Sequence, residues 1–580
     1  MSNFPTSPGV SLNEIDNTYL SGQPVQVGAA IIGPTVKGPV EIPTVVSSYS
    51  EYQNVFGDTF ISGSDNYSFL TSIAAYNYFN YGGKSLLVAR VVSGSYTPAT
   101  SSIVATGSAA LDANGYVSSS YTGPNAFVLE TISAGTIVNN NITGSANGIL
   151  TSGTKDNIRF EITSPSTGSG TFNLLVRQGN DVSNKKIILE SFNNVSLDPL
   201  SSNYISKVIG NQVAAYNSST NQVETSGEYP NNSRYIRVKA VNVTTPNYFD
   251  ANGTPQSQYT ASIPAALNGV FGDATGTIKG GANFYNTIST QTQGLVADNY
   301  TNMVNLLSNA QAYKFNILST PGLLNESTGH TAIISSIIQN TQLRGDSIYV
   351  MDLTEYASPL TTAVTQAQSR DTSFAATYWP WVNIIDPGTG KYVWIPASTL
   401  IPGVYANNDK IAAPWFAPAG INRGGLSNVL QAKSKLSEAQ KTQLYNSNIN
   451  PLATMPRYGV VAFGQKTLQK GTSALDRVNV RRLLIELKTF ISQVADTIVF
   501  EQNTLATRNN FTSRVNPYLE TIQQKQGLYA FKVVMDDTNN GPDVIDRNQL
   551  VGQIYIQPSR TVEYISLDFV LLPTGAQFPG

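Results

Sequence analysis

The chain has 580 residues, with 35 Lys and Arg against 37 Asp and Glu and no cysteine. The net charge of −2 gives no electrostatic basis for binding nucleic acid or an anionic membrane, and the lack of cysteine excludes disulfides, thiolate metal sites and cysteine nucleophiles. At roughly 150 residues per domain the length predicts three or four domains, and a charged fraction of only 12% is compatible with self-association.

The first residues predict an extended arm. In "SPGVSLNEID", residues 7–16, apolar and polar side chains alternate with the period of two that indicates a half-buried strand. Pro5 and Pro8 fix an extended approach and remove two backbone donors, so neither residue can serve a central ladder. No hairpin turn follows. We therefore predict that residues 1–22 form an N-terminal arm whose strand has no partner nearby in the chain.

No targeting or membrane segment is expected from the pattern. The N-terminus lacks a basic region followed by an apolar one, so we expect no signal peptide. No apolar run reaches the about 18 residues that a bilayer span requires.

Residues 23–95 and 291–460 alternate between strands and helices as a parallel α/β layer does. The strand "VGAAIIG" begins at residue 27, and "DNYSFLTSIAAYNYFNYGG" predicts a helix with Asp65 as its cap and Gly82 as its stop, followed by the strand "KSLLVARVV". After residue 295 the strands "FNILSTPG", "SIYVMDL" and "AATYWPWVNIID" each follow a helical segment. We predict one discontinuous α/β core domain with an insertion between its halves.

Residues 96–290 have a different composition. Short β-type runs such as "AFVLETI", "TFNLLVRQ" and "KKIILESF" alternate with turns of Gly, Ser and Asn. They predict one or two inserted antiparallel β domains. A disordered polar spacer is the alternative, and the β-branched content disfavours it.

Residues 461–580 predict a C-terminal α+β domain. Ser473 is expected to cap a long helix with Asp476 three residues on. An apolar stripe then runs at helical spacing, with three basic residues off it, Arg481, Arg482 and Lys488. A second helix ends near Gly527, and three strands follow, "YAFKVVMD", "VGQIYIQ" and "TVEYISLDFVLL". The edge of this sheet is expected to be open.

The motifs that could carry chemistry are weak, and we predict neither an enzyme nor a cofactor or metal site. "GGKS", residues 82–85, follows a helix and enters a strand, the reverse of a phosphate-binding loop, and "GTGK" at 388–391 lacks the Ser or Thr that binds magnesium. The single histidine, His330, reads as a helix-start residue rather than a general base. The carboxylates Asp536, Asp537 and Asp543 lie in a turn-rich loop where weak calcium binding stays an alternative.

The aromatic segment 378–396, "YWPWVNIIDPGTGKYVWIP", has two interpretations. Exposed, it would suggest a sugar or partner site; buried, it would be a core strand and a hairpin. We favour the core, because Trp and Tyr are large hydrophobic residues.

Several segments resemble the tail sheath proteins of contractile-tailed phages. They lie in order in the first hundred and the last two hundred residues: "PGVSLNEID", "VGAAIIGPTVKGPVEIPTVVSSYSEYQNVFG", "YFNYGGKSLLVARVV", "IPASTLIPGVYANND", "APWFAPAGINRGGL" and "VNVRRLLIELKTFISQVADTIVFEQNTLATR". After Pro-Gly-Val this chain departs from the family with Ser11 and Leu12. Residues 96–290 show no resemblance, which suits the variable outward-facing insertions of the family.

The resemblance implies a fold and a mode of assembly. The fold would be an α/β and α+β multidomain chain, with a discontinuous α/β core, an inserted antiparallel β region and a C-terminal α+β domain completed by strands from neighbouring subunits. Subunits would stack as hexameric rings around a tail tube. The residues expected in strand exchange are Val10 and Leu12 on one side of the N-terminal strand, Ile15 on its other side, and Ile565, Leu567 and Phe569 near the C-terminus.

The resemblance also implies a cycle and partners. The extended sheath would be metastable and would contract to drive the tube through the host envelope, without nucleotide. Its partners would be copies of itself, the tail tube protein, the baseplate and the tail terminator, with no nucleic acid and no direct membrane insertion. The protein would be made in the host cytoplasm and belong to the virion. We add the hypothesis that Arg481, Arg482 and Lys488 face the tube.

Three other functions remain open at this point. The chain could form the sheath of a related contractile injection machine. It could be a carbohydrate-binding surface protein through residues 96–290, whose Ser, Thr, Asn and Tyr content fits such a role. An enzyme on the α/β layer is the third, but the expected polar constellation is missing from the sequence.

Overall fold

The structure is a computed structural model that describes residues 27–105, 124–140, 150, 153–182, 184–278 and 292–563. Before the insertion the strands are β1 (Val27–Gly33), β2 (Thr44–Val46), β3 (Thr59–Ser62), β4 (Asp65–Ser68) and β5 (Leu86–Arg90). The helices there are α1 (Tyr49–Phe56) and α2 (Leu70–Asn80). The predicted strands at 27 and 86 are confirmed.

The start predicted for α2 is wrong. Asp65 is the first residue of β4, which pairs with β3 as a hairpin, and the helix begins at Leu70. The Leu70 N–H is satisfied by the Gln293 side chain, whose Oε1 accepts it at 2.7 Å. A partner from 223 residues away thus replaces the local cap.

Within residues 96–290 the described part forms antiparallel strands, as predicted. They are β6 (Pro98–Val104), β7 (Asn125–Ala134), β8 (Ile158–Ser166), β9 (Thr171–Gln178), β10 (Ile188–Ser196), β11 (Val213–Asn217), β12 (Gln222–Ser226), β13 (Ile236–Val241) and β14 (Leu267–Val270). Two short helices accompany them, α3 (Ile205–Ile209) and α4 (Ser257–Thr260).

After residue 292 helices and strands alternate again. The strands are β15 (Phe315–Leu324), β16 (Ile348–Asp352), β17 (Ala375–Trp379), β18 (Val382–Ile385), β19 (Tyr392–Ile395), β20 (Val429–Ala432), β21 (Asn450–Met455), β22 (Gly459–Ala462), β23 (Leu528–Val534) and β24 (Gln553–Pro558). The helices are α5 (Thr301–Leu306), α6 (Thr331–Arg344), α7 (Leu360–Gln368), α8 (Ile401–Ile411), α9 (Gly420–Arg423), α10 (Glu438–Asn446), α11 (Val478–Asp496), α12 (Leu505–Gln524) and α13 (Pro542–Asp546).

An eight-stranded sheet forms the centre of the molecule, in the order β2-β5-β1-β15-β16-β17-β21-β22. The strands from β5 to β21 run parallel, and the two edge strands are antiparallel to their neighbours. Strands that precede and strands that follow the insertion therefore lie side by side. Helices α2 and α8 pack on one face, and α5, α6 and α7 pack on the other. Burial on both faces explains the continuous apolar runs of these strands.

The inserted region has its own core, between the sheets β10-β9-β8-β14 and β13-β7-β6. Charges buried in it are paired: the Arg177 side chain, which is not exposed, contacts Glu161 at 2.8 Å and Asp181 at 2.7 Å. Pairing of this kind is required because an uncompensated charge in such a site would be strongly destabilising.

Most apolar side chains of the aromatic segment 378–396 lie in the core, as favoured above, whereas Ile385 and Tyr392 are exposed. Trp379 and Trp381 are buried, and the Trp381 indole N–H donates to the Thr354 carbonyl at 2.9 Å. Strands β18 and β19 pair as a hairpin. In the ranges described, no helix is long and apolar enough to cross a membrane.

Candidate assembly interface

The chain from α11 to β24, residues 478–558, is called the C-terminal unit below. Its interior is built by α11 and α12, which contribute Leu483, Leu487, Val494, Phe511, Val515, Leu519 and Ile522. The predicted stripe of α11 is confirmed, because its central members pack into this cluster. The predicted cap is wrong: Ser473 caps a 3-10 turn, Ala474–Asp476, and α11 begins at Val478 with its N–H donated to the Gln465 carbonyl at 2.7 Å.

Strands β23 and β24 form a two-stranded antiparallel sheet against these helices. Phe531, Val533, Ile554 and Ile556 alternate along the strands and pack toward the helices. Ala530, Lys532 and Tyr555 lie in the exposed alternate positions, and Tyr529, at the bulge between Leu528 and Ala530, is also exposed. The period of two therefore divides this sheet into an apolar face and a solvated face.

Both outer edges of this sheet are open in the described part of the chain, because neither β23 nor β24 pairs there with a third strand. Two strands alone are marginally stable, and an unpaired edge presents a row of backbone donors and acceptors to any extended segment. The third predicted strand falls mostly beyond the described residues, and the part that is described, residues 561–563, is not a strand. The geometry can accept added strands at either edge.

The residues predicted for strand exchange lie outside the described part. Val10, Leu12 and Ile15 belong to residues 1–26, and Ile565, Leu567 and Phe569 belong to residues 564–580. Their role stays a prediction.

The three basic residues of α11 are placed in two different environments. Arg481 and Arg482 are buried, and Lys488 is exposed. The Arg481 Nε–H donates to the Ser373 carbonyl at 3.2 Å, and the guanidinium group lies 3.9 Å from the centre of the Phe374 ring. Burial lowers the pKa of Arg481 to about 10. This side chain is therefore occupied inside its own chain.

Arg482 is engaged in the same way. Its Nη2 lies 2.6 Å from the Asp409 carboxylate, and its guanidinium group lies over the Tyr405 ring at 4.8 Å. Burial by itself lowers the pKa of Arg482, but Asp409 and the neighbouring tyrosines raise it, and the net shift is upward. Direct contact between these two arginines and another protein is not compatible with this packing. Only Lys488 of the three offers its side chain at the surface.

The loop after α11 carries apolar side chains that sequence reasoning did not single out. Phe500 is fully exposed and has a φ of 74°, and Val499 in the same loop and Leu505 at the start of α12 are 59% and 61% exposed. A bulky residue with positive φ is uncommon and costs free energy of about 1–2 kcal/mol. The signal was the run "TIVF", which continues apolar beyond the polar Asp496 that ends the helix.

The residues considered for chemistry have structural roles. His330 is buried at the start of α6, where its Nδ1 accepts the Leu324 N–H at 3.1 Å, and burial lowers its pKa to about 4. Asp537 pairs with Arg508, and Asp536 accepts the Thr538 N–H at 2.9 Å. Nowhere in the described ranges do three or more His, Asp or Glu side chains form a group that could hold a metal ion.

Comparison with known proteins finds similarity to phage tail sheath proteins. Residues 471–571 match the family model of the phage tail sheath C-terminal domain, and this range contains the C-terminal unit. The tail sheath protein of Vibrio phage KVP40 is 42% identical over 185 residues, and that of Enterobacteria phage T4 is 41% identical over 185 residues. Each match covers 32% of this chain and 28% of the relative. The chain thus spans less than a third of the length of these relatives.

A solved structure is similar over a larger range. The sheath tail protein of Listeria innocua aligns with 92% of this chain and 95% of its own, at a TM-score of 0.50 and 10% identity. At that identity the likeness concerns the fold alone. The sequence matches confirm the predicted resemblance to tail sheath proteins.

Proposed function

We propose that this chain is a structural subunit of a contractile phage tail sheath. The observation that carries the proposal is the C-terminal unit, a two-stranded sheet with open edges in the described part, within the range that matches the sheath C-terminal domain. The relatives named tail sheath protein support it. We propose no enzymatic activity and no cofactor.

The open sheet is completed in this proposal by strands from neighbouring subunits. The N-terminal segment with Val10, Leu12 and Ile15 and the C-terminal segment with Ile565, Leu567 and Phe569 supply them. Five or six added ladder bonds at about 0.5–1.5 kcal/mol each stabilise one joint by several kcal/mol. Since each subunit is tied to several others, joints must fail together and the polymer is much stronger than one joint.

Assembly then gives stacked hexameric rings around the tail tube, with baseplate and terminator at the ends. The extended polymer is metastable, and contraction is a rigid-body rearrangement in which the exchanged strands act as hinges. The energy is stored as the difference between two packings, so nucleotide is not needed. The subunit is made in the host cytoplasm and becomes part of the virion, with no nucleic-acid contact and no membrane insertion.

The hypothesis of a tube-facing helix is carried forward for Lys488. Lys488 is exposed on α11, whereas Arg481 and Arg482 support the packing of that helix. Charge reversal by Lys488→Glu should loosen the sheath from the tube, and the fraction of tails that retain an extended sheath in micrographs measures this. Unchanged extended tails would count against the contact.

Electron microscopy of the purified protein at high concentration tests the proposal as a whole. We expect striated hollow cylinders from the full chain and only short or fragile ones after removal of residues 1–16. Val10→Asp should weaken assembly, and Asn13→Asp, at a polar position of the same strand, is the matched control. Cylinders of normal length and firmness from the truncated chain would refute strand exchange by the N-terminal arm.

A further inference from the structure

The chain leaves the C-terminal sheet after β24 and returns to the core domain. The Ser559 N–H donates to the Gly527 carbonyl at 3.1 Å, at the edge of the C-terminal unit. Four residues later the Glu563 side chain lies among residues of α10, of the segment after β22 and of the start of α11. The predicted exchange residues Ile565, Leu567 and Phe569 follow Glu563 closely in the chain.

The Glu563 carboxylate accepts hydrogen bonds from three side chains, a set that we call the Glu563 clamp. The Arg477 guanidinium group binds it in a bidentate manner, with Nε 2.8 Å from Oε1 and Nη2 3.0 Å from Oε2. The Tyr445 hydroxyl donates to Oε2 at 2.8 Å, and the Gln465 amide donates to Oε1 at 3.1 Å. Gln465 also donates to the Thr561 hydroxyl at 2.5 Å.

The Glu563 clamp is a strong contact, because it is partly shielded from water and its main pair is charged and bidentate. The side chains of Arg477 and Glu563 are only 24% and 18% exposed, so water screens their attraction less than at an open surface. Burial raises the pKa of Glu563, but the donors Arg477, Tyr445 and Gln465 outweigh it and the net shift is downward. Bidentate charge-assisted pairs are among the stronger hydrogen-bonded contacts in proteins. The carboxylate is therefore charged and engaged at neutral pH.

We propose that Glu563 is a positioning residue that anchors the root of the exchanged C-terminal segment on its own subunit. This inference deepens the proposed function and rests on it. A pull on the segment beyond residue 563 is transferred through the carboxylate to α10 and α11. Without the clamp the same pull would act on the end of β24 and peel it from β23 one hydrogen bond at a time.

The test measures assembly and the stability of the free subunit separately. Glu563→Ala should raise the critical concentration for cylinder formation about tenfold or more, with Glu563→Gln intermediate because it keeps the shape and loses the charge. Glu520→Gln, an exposed carboxylate on α12, is the matched control. The melting temperature of the unassembled subunit should change little, because Arg477 retains a second ionic partner, Asp476, at 3.0 Å.

A charge exchange tests the pair directly. Arg477→Glu and Glu563→Arg should each weaken assembly, and the double variant should restore most of it. If the wild type assembles and Glu563→Ala assembles at the same concentration as the control, the clamp proposal is overturned and the sheath function stands. If the wild type forms no cylinders at any concentration, the proposed function fails and the clamp proposal falls with it.

Discussion

The role of Arg482 follows from its burial rather than from its charge, because the side chain is packed inside its own chain. Arg481, Arg482 and Lys488 are all basic residues, and all lie off the apolar stripe of α11. The first turns of this helix nevertheless cross the core domain, where Ser373, Phe374 and Asp409 meet the two guanidinium groups. A hydrophobic pattern registers apolar side chains and cannot detect an arginine whose partner lies 73 or 108 residues away.

This difference predicts different mutational costs. Arg482→Ala should lower the free energy of unfolding by about 3 kcal/mol, because it leaves the Asp409 carboxylate without its partner and opens a gap beside Tyr405. Lys488→Ala, the matched control, should stay within about 0.5 kcal/mol of the wild type. Urea denaturation of the free subunit measures both. Equal effects of the two substitutions would contradict the assigned burial.

The raised pKa of Asp352 predicts that the free energy of unfolding depends on pH. It is buried at the end of β16 and accepts the Ser398 N–H at 3.0 Å, and burial raises its pKa from 3.8 to about 7. Between these values the folded protein retains a proton that the unfolded chain has lost. The contribution of Asp352 to stability is thus present below about pH 4 and declines as the pH rises toward 7, by at most about 1.4 kcal/mol per pH unit.

The variant Asp352→Asn isolates this contribution. The free energy of unfolding of the wild type, measured relative to the variant from pH 4 to pH 8, should fall with rising pH and level off above about 7. A constant difference across this range would show that the carboxyl group titrates normally in the folded protein.

The period of the apolar side chains predicted whether a segment is a helix or a strand, but it did not predict the residue at which a helix begins. The central strands and α6 were predicted because their apolar runs and 3.6-residue spacing are local. The first residues of α2 and α11 were not predicted, because their N–H groups donate to the Gln293 side chain and to the Gln465 carbonyl. These acceptors come from other parts of the chain, so neither Asp65 nor Ser473 is needed as the helix cap.

The open edges of the C-terminal sheet predict binding of a free strand. A labelled peptide of residues 7–16 should bind to the subunit that lacks residues 1–16, because β23 and β24 present unpaired backbone groups in the described part. A peptide with Val10 replaced by Asp should bind more weakly, and fluorescence anisotropy measures both. Equal binding of the two peptides would argue against an apolar strand face docking on this sheet.

For the whole molecule, the two ends of the inserted region lie close together on the core domain. A small cavity is lined by Val91 and Tyr96 around the start of the region and by Gln293 and Leu295 just after its end. Across the junction the Arg90 guanidinium group donates to the Gly38 and Ala134 carbonyls, and Lys37 pairs with Asp156 at 3.3 Å. Burial lowers the pKa of both Lys37 and Arg90.

Deletion of this region should leave assembly possible. We expect that replacing residues 97–291 with a short Gly-Ser linker retains the core fold and gives cylinders of smaller outer diameter, since the eight-stranded sheet and the C-terminal unit contain no residue of the insertion. Lys37 and Arg90 lose partners but also lose the cover that buries them. Circular dichroism and negative-stain images measure the outcome. A folded variant that forms no cylinders would assign the insertion a role in assembly.

By itself, the sequence determined the types of the main elements, the antiparallel character of the insertion, the core position of the aromatic segment and the resemblance to tail sheath proteins. Each of these depends on residues close together in the chain, where periodicity and motif leave a visible signal. Only the tertiary structure decided the burial of Arg481 and Arg482, the environment of Asp352 and the Glu563 clamp. The partners of Glu563 lie 86 to 118 residues away, and contacts at such separations leave no periodic trace in the sequence because they depend on how the packed elements meet.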